Sequence, residues 1–585
     1  MSPNPLFNAL KSHQQGDLAA AEAGYRAVLA AEPDQPDALH YLGVVAYQRR
    51  EHEQALSLIQ KARALKPDDA AIAANLGLVL QTVGRLGEAA RALDASLALR
   101  PAQPEALYNL GITRARQLRY PDAEQHFRQA LELAPGHTQA RRQLGLVLLA
   151  MKRGEEAVDI LTRCLEDQPN DMALAIEVAR ARELAGDLEG AAVEFRDIAA
   201  RDPRRRSEAL CRLSTVLRRL GRQGTALVSA RSALFHDSES HDATRAVGQC
   251  LKELGRLEEA AQFLRQAHDM LRAPDTRSGI GRVTFSRTSK AKLRHDVEQF
   301  RYLMEHGVGH DRFPGIIRDY EELMRTIPPT VADGQVIQLP PRIQERISGF
   351  YNRCHHLAEA PPVKGGALNP GLDRAAVSRD YADREPGITW IDGFLKPEAL
   401  EGLRRFCLES TIWYDFEHTN GYLGAYLQDG FACPLLIQIA TELPRRLPEI
   451  FDGHRLMQLW AYNYDSSLAG IDMHADFAAV NVNFWITPSD ATLDDESGGM
   501  VIWDKEAPLA WSVDEYNTYD PVQQESIRRY LEDSGARQLT VPHRQNRCVI
   551  FNSDLFHKTD DIRFREGYEN RRINVTMLYG RREHE

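Results

Sequence analysis

Three side chains in the last quarter of the chain have the types and spacing to hold one metal ion. His474 and Asp476 stand two apart in His474-Ala475-Asp476, and His557 ends the run Asp554-Leu555-Phe556-His557. On a strand, residues i and i+2 face the same side, so His474 and Asp476 can grip one ion while a histidine from a neighbouring strand completes a triangular face. Two imidazoles and one carboxylate suit ferrous iron and leave the opposite positions open for small reactants. A catalytic zinc can use the same ligands, so the set alone does not fix the metal. Because a chain with 19 histidines throws up about one His-x-Asp by accident, order and surroundings must carry the reading.

Those surroundings are strand-like. Alternation and β-branched or aromatic content, broken by Gly, Asp and Pro, predict strands over 457–464, 479–487, 500–504, 547–552 and 572–579, with a helix around 435–447. A new domain opens near Gly387, where the short strand 388–395 runs into Lys396-Pro397-Glu398, with proline placed as helices prefer in their first turn. The pattern suggests a β-sandwich or open barrel. Within it Asn481 and Asn483 alternate with Val480, Val482 and Phe484; amides directed inward need partners, which a bound molecule or neighbouring side chains can supply. The tract 419–426, with two glycines and two tyrosines, reads as a substrate-side loop or an ordinary surface connection.

The succession of strand, His-x-Asp, second strand, Ser497-Gly498-Gly499 turn, apolar strand before His557 and final basic strand resembles the iron(II)/2-oxoglutarate-dependent dioxygenases, in particular their prolyl-hydroxylase-like branch. The resemblance covers about a third of the chain and implies a double-stranded β-helix (jelly-roll) over 387–582. It also implies Fe(II) on His474, Asp476 and His557, with 2-oxoglutarate and O2 as cosubstrates. In that family an arginine beyond the distal histidine binds the far carboxylate of 2-oxoglutarate, and Arg571-Arg572-Ile573-Asn574-Val575-Thr576 occupies its place. If Ile573, Val575, Met577 and Tyr579 form the outer face, then Arg572, Asn574 and Thr576 point inward. Arg572 is favoured over Arg571, and the family's inward polar residue two positions later becomes Asn574. An arginine suits the task because its fixed fork donates two parallel hydrogen bonds to a carboxylate. Tyr464, ten residues before His474, takes the place of a tyrosine that contacts the cosubstrate in relatives, with Tyr462 its rival; Asn483 is the further cofactor-side candidate.

The N-terminal half is periodic. Prolines recur every 34 residues at Pro33, Pro67, Pro101, Pro135, Pro169 and Pro203, in register with Leu-Gly pairs at Gly43, Gly77, Gly111 and Gly145 and with alanines at Ala21, Ala55, Ala89, Ala123, Ala157 and Ala191. Such a period suits two antiparallel helices plus turns: small residues let the helices approach closely, and the proline closes the second one. This resembles the tetratricopeptide repeat family and implies an all-α superhelix over 1–271, its last units degenerate, with a protein or peptide bound on the concave face. A helix array that only dimerises the chain or braces the next domain is the plainer alternative. Tyr25, Tyr47 and Phe127 fall at repeat-core spacing.

Between the two lies 272–386, a helical bridge with amphipathic stretches at 292–304 and 313–324, followed by a proline- and glycine-rich, loop-rich linker. The neighbouring His355 and His356 point in different directions on any regular element and read as polar surface residues rather than a metal pair. Composition fits a multidomain globular protein: 585 residues, 43% hydrophobic and 26% charged. With 72 basic against 83 acidic residues, a net charge of -11, no nucleic-acid or membrane partner is expected. Seven scattered cysteines form no Cys-x-x-Cys pair, which speaks against a disulfide framework or zinc ribbon. The N-terminus lacks a secretory signature and no apolar run approaches the roughly 20 residues that span a bilayer, so a cytoplasmic, arginine-rich, bacterial protein is expected.

Taken together, these readings predict an oxygenase that hydroxylates a side chain of a protein or peptide recruited by the repeats. The alternatives are a non-catalytic scaffold with a degenerate oxygenase domain, an oxygenase acting on a small molecule and, ranked lowest, a repeat-linked glycosyltransferase.

Overall fold

The computed structural model describes residues 5–274, 285–418, 420–465 and 470–582. Contacts divide the chain into two compact units, Met1–Leu220 and Gly221–Glu585.

The first unit is all helical, from Pro5–Gln14 to Arg206–Arg219. Each 34-residue step is an antiparallel pair such as Pro104–Arg116 with Tyr120–Leu133. The second helices end at Ala31, Leu65, Leu99, Leu133, Asp167 and Arg201, each two residues before the recurring proline, which supplies no amide hydrogen to continue the ladder. The glycine column has a steric cause. A Cβ on Gly77 would lie 2.5 Å from Leu93, on Gly111 2.6 Å from Phe127 and on Gly145 2.4 Å from Leu161, so only glycine lets each pair close to this distance. Tyr25 and Phe127 are fully buried, whereas Tyr47 is half-buried and bonds Thr82 through its hydroxyl.

The second unit starts with three further helices, Gln223–His236, His241–Glu253 and Leu257–Arg272. The repeat pattern therefore continues past the boundary between compact units. Leu257 and Leu264 enter the same apolar core as the β-rich region, Arg272 pairs with Asp429, and Arg265 donates to the Ala432 carbonyl. The bridge has its own core, where Leu293, Phe300, Phe313, Tyr320 and Tyr351 join helices Lys290–Glu305 and Phe313–Thr326. A two-residue ladder, β1 (Arg287–Thr288) with β2 (Ile337–Gln338), closes it. The stretch expected to be a loop-rich linker is packed: Ala358, Ala360, Ala367 and Leu368 lie in the β-region core. His355 corrects the surface reading, because its ring is buried between Phe300 and Phe313 with Nε2 donating to the Phe350 carbonyl at 2.8 Å.

The β-rich region holds β3 (Ile388–Asp392), β4 (Leu423–Tyr426), β5 (Leu456–Tyr464), β6 (Val480–Trp485), β7 (Met500–Glu506), β8 (Gln538–Val541), β9 (Arg547–Asn552), β10 (Leu555–Thr559) and β11 (Arg572–Tyr579). Six form one antiparallel sheet in the order β3-β9-β6-β11-β5-β4, and three form another in the order β10-β7-β8. Among the described residues the strands do not form a closed barrel. Helices Pro397–Glu409 and Pro434–Arg446 share one apolar core with Ile573, Val575, Met577 and Tyr579 of the larger sheet, and the Tyr579 hydroxyl donates to the Ala440 carbonyl at 2.8 Å. The apolar face of β11 is thus buried rather than exposed, and its alternate residues turn to the space between the sheets. Of the tract 419–426, Thr419 lies outside the described residues and 423–426 form the edge strand β4. Among the described residues no helix is long and apolar enough to cross a membrane.

Candidate metal centre and its cavity

Two backbone hydrogen bonds place the candidate ligands together. His474 N donates to the His557 carbonyl at 3.0 Å and His557 N to the His474 carbonyl at 2.8 Å, an isolated antiparallel bridge that lays the His474 segment along β10. A register shift between Leu555 and His557 in the β10–β7 pairing re-aims the second histidine. One ligand atom from each of His474, Asp476 and His557 lies within 4.8 Å of the others, and among the described residues this is the one such cluster. Asp476 and His557 are buried, while His474 keeps part of its ring toward the cavity.

Second partners orient both imidazoles. His474 Nδ1 bonds the Asp472 carbonyl at 2.8 Å and His557 Nδ1 the Leu555 carbonyl at 2.9 Å. A carbonyl only accepts, so each Nδ1 carries a hydrogen and each Nε2 is the atom left for a ligand role, that of His557 lying 3.5 Å from Asp476 Oδ2. Burial, with the neighbouring His557 ring, pulls the His474 pKa down to about 4, so this ring is neutral at pH 7. Burial pushes the Asp476 carboxyl up, but hydrogen bonding from His557, the two imidazoles and the Asn481 amide together hold it below the usual carboxylate range. The donor set, two imidazoles and a carboxylate, fits a divalent transition metal.

A cavity of about 870 Å³, counted out to its open mouth, contains the three ligands together with Tyr464, Tyr462, Asn483, Asn574 and Arg572. Arg572 pairs across β11–β5 with Tyr464, its guanidinium 4.9 Å from the centre of the tyrosine ring. Its N–H groups are held by protein: Nε by the Gly498 carbonyl at 2.6 Å, Nη2 by the Gly499 carbonyl at 2.9 Å and Nη1 by Asn574 Oδ1 at 3.3 Å, with the Tyr464 hydroxyl a further partner of the guanidinium. It is 2% exposed, and no carboxylate of the described residues lies within ion-pair distance. Burial lowers its pKa, against the opposing pull of Tyr464 and Asp560. Arg571 does the opposite. It turns away from the cavity, with Nε on Glu298 at 2.9 Å and Nη2 on Asp465 at 3.0 Å. The extended backbone from Arg571, just before β11, into Arg572, its first residue, thus separates two adjacent arginines into an ion-paired one and one facing the cavity.

Tyr464 and Tyr462 both face the cavity, and burial pushes the Tyr464 phenol up to about 12. Asn483 and Asn574 bond each other. The sequence did not reveal residues 507–537, an insertion between β7 and β8 containing helices Val513–Tyr516 and Pro521–Asp533. From it Asn517 donates to the Ala475 carbonyl at 3.0 Å and to Asp476 Oδ1 at 3.3 Å, and Gln524 to the Met473 carbonyl at 2.7 Å. The Tyr519 hydroxyl meets that of Tyr422 at 2.7 Å beside the cavity. No spacing rule links this polar run to a segment 41 to 51 residues earlier.

The tetratricopeptide repeat family matches residues 114–182 through one of its models and 14–70, 75–138 and 211–271 through another. No curated protein matches the chain. Among solved structures, YrrB, described as a tetratricopeptide protein with an unusual peptide-binding site, is 22% identical over 32% of this chain and 96% of its own, with a TM-score of 0.30. Pseudomonas aeruginosa PilF is 24% identical over 36% of this chain and 94% of its own, with a TM-score of 0.30. A tetratricopeptide protein of Parabacteroides merdae is 17% identical over 42% of this chain and 97% of its own, also at 0.30. With the 34-residue helix pairs, the family matches make the N-terminal region of this chain an array of tetratricopeptide repeats, the architecture of a protein-interaction scaffold.

Proposed function

We propose that the chain is an Fe(II)- and 2-oxoglutarate-dependent oxygenase that hydroxylates a side chain of a protein or peptide brought to it by the tetratricopeptide array. One observation carries the reading: a buried guanidinium with no carboxylate of the described residues at ion-pair distance faces the same cavity as a His-Asp-His cluster whose Nδ1 atoms are both held by backbone carbonyls. A dicarboxylate with a chelating keto acid at one end answers both needs.

The strand order supports a double-stranded β-helix. From β5 onward the chain passes between the sheets in the order larger (β5), smaller (the His474 bridge), larger (β6), smaller (β7 and β8), larger (β9), smaller (β10) and larger (β11). This interleaving of two antiparallel sheets is what a jelly roll requires.

In this reading His474, Asp476 and His557 hold the iron, and Arg572 binds the far carboxylate of 2-oxoglutarate, with Tyr464, Asn574 and Asn483 lining the cosubstrate end. The bound iron would supply the oxidation, in which 2-oxoglutarate, O2 and a C–H bond give succinate, CO2 and a C–OH group. The chain's own part is to fix both imidazole tautomers, to neutralise a carboxylate with a preformed fork and to bury the reacting centre. A repeat array tethered to the site raises the local concentration of whatever it binds, which favours a polypeptide substrate.

The test is iron-dependent succinate formation from 2-oxoglutarate by the full-length protein beside its His474→Ala and Asp476→Ala variants. Turnover in the wild type and none in the variants is expected. Succinate no higher in the wild type than in the variants would end the proposal.

A further inference from the structure

Three buried amide side chains, through four hydrogen bonds, connect the candidate metal carboxylate to the candidate cosubstrate arginine. Arg572 Nη1 donates to Asn574 Oδ1 at 3.3 Å, Asn574 Nδ2 to Asn483 Oδ1 at 3.0 Å, Asn483 Nδ2 to Asn481 Oδ1 at 2.6 Å, and Asn481 Nδ2 to Asp476 Oδ2 at 2.7 Å. The asparagines are at most 5% exposed. The strands explain the spacing. Asn481 and Asn483 alternate on β6, Asn574 lies on β11, and Thr576, directly opposite Asn483, adds a second donor to its oxygen at 2.7 Å.

The chain of bonds has a direction that its ends dictate. A guanidinium only donates and an ionised carboxylate only accepts, whereas an amide does both through opposite atoms. With a donor at one end and an acceptor at the other, each of the three amides has a single orientation that leaves no bond unmade, oxygen toward Arg572 and nitrogen toward Asp476. Turning any one of them sets oxygen against oxygen on one side and N–H against N–H on the other, in a place where an unmet polar group costs more than it does in water.

We infer that Asn481, Asn483 and Asn574 are positioning residues, a directed amide relay that fixes the Asp476 carboxylate for a divalent cation and ties its orientation to the arginine at the far end of the cavity. None of the three needs to touch the ion. The inference rests on the metal-site reading above and adds that metal affinity depends on a residue two hydrogen bonds away from the carboxylate.

Asn483→Asp separates this from simpler explanations by its sign. The replacement matches asparagine in shape but brings a negative charge, and attraction through space alone would tighten binding of a cation. The relay requires the reverse. The new carboxylate has no hydrogen for Asn481 Oδ1 and draws the Asn481 amide to itself, so Asp476 loses its directed donor. Cobalt(II) titration of the full-length protein at pH 8, followed by the visible absorption of the bound ion, is expected to show affinity lowered at least about 10-fold, the lower end of what loss of a ligand's hydrogen-bond partner does. Asn483→Leu, similar in shape and uncharged, is expected to move in the same direction and serves if the first variant does not fold by circular dichroism. Wild-type binding with equal or tighter cobalt(II) affinity in a folded Asn483→Asp variant would overturn the relay and leave the metal site standing. A wild type that binds no cobalt(II) would overturn both.

Discussion

His557→Ala is expected to abolish stoichiometric binding of a divalent transition metal. The imidazole is 3% exposed, and its backbone closes the bridge that brings His474 alongside. Its removal therefore deletes a donor while the backbone bridge, which needs no side chain, keeps the remaining two in place. Loss of a ligand's outer partner typically costs 10- to 100-fold in metal affinity, so loss of the ligand itself should exceed roughly 100-fold. Asp476→Asn should do nearly as much without changing the shape of the site, because a neutral amide oxygen is a far weaker ligand than a carboxylate for a hard or borderline cation. Titration with Mn(II) or Co(II), read by calorimetry, checks both. Acid should compete at His474 only as the pH falls toward about 4, because in the folded protein the charged form of this ring is already disfavoured above that value.

Arg572→Ala and Arg571→Ala are expected to fail in different ways. Removing Arg572 leaves a cavity with nothing to answer the far carboxylate of 2-oxoglutarate. Truncating one partner of a buried, hydrogen-bonded charge pair costs about 2 to 5 kcal/mol, which in apparent affinity for 2-oxoglutarate is a loss of more than about 20-fold. Stability should change little, because no carboxylate of the described residues lies within ion-pair distance of the removed cation and solvent entering from the cavity can hydrate the freed Gly498 and Gly499 carbonyls and Asn574 Oδ1. Arg571→Ala should leave the affinity alone and lower stability, because Glu298 and Asp465 lose their shared cation. The loss should be smaller than the roughly 3 to 5 kcal/mol of a fully buried pair, since Glu298 is 30% exposed and water can take over part of the interaction. Equilibrium binding of 2-oxoglutarate and thermal unfolding, run on both variants, tell the two arginines apart. Equal affinity losses would mean that alternation on β11 does not select the cosubstrate residue.

These two variants also show how much could be read from the sequence and where reading stopped. A strand has period two, so once β11 is placed, the inward set Arg572, Asn574 and Thr576 follows from the outward set Ile573, Val575 and Met577. The same logic placed His474 with Asp476, and a fixed repeat length gave the helix pairs of the N-terminal region. What period cannot supply is the partner. Asn481 and Asn483 were visible as inward amides, but that they join end to end with Asn574 depends on the register between β6 and β11, which no local pattern contains. Asn517 reaches Asp476 from an insertion whose own helices carry no sign of what they pack beside. The proline-rich stretch after residue 327 looked like a linker because its elements are short; its alanines and Leu368 are small apolar contacts in a distant core, and a few scattered residues do not register as a hydrophobic face. His355 misled for a related reason, since a histidine's polarity says nothing about whether Phe300 and Phe313 will enclose it.

The most direct measurement is diffraction from crystals grown with Mn(II) and 2-oxoglutarate, with anomalous data collected near the manganese edge. One anomalous peak bonded by the Nε2 atoms of His474 and His557 and by Asp476, with 2-oxoglutarate reaching from it to Arg572, is the expected result. A manganese ion elsewhere, or a fully occupied cosubstrate that leaves Arg572 untouched, would contradict the assignment of this cavity as an oxygenase site.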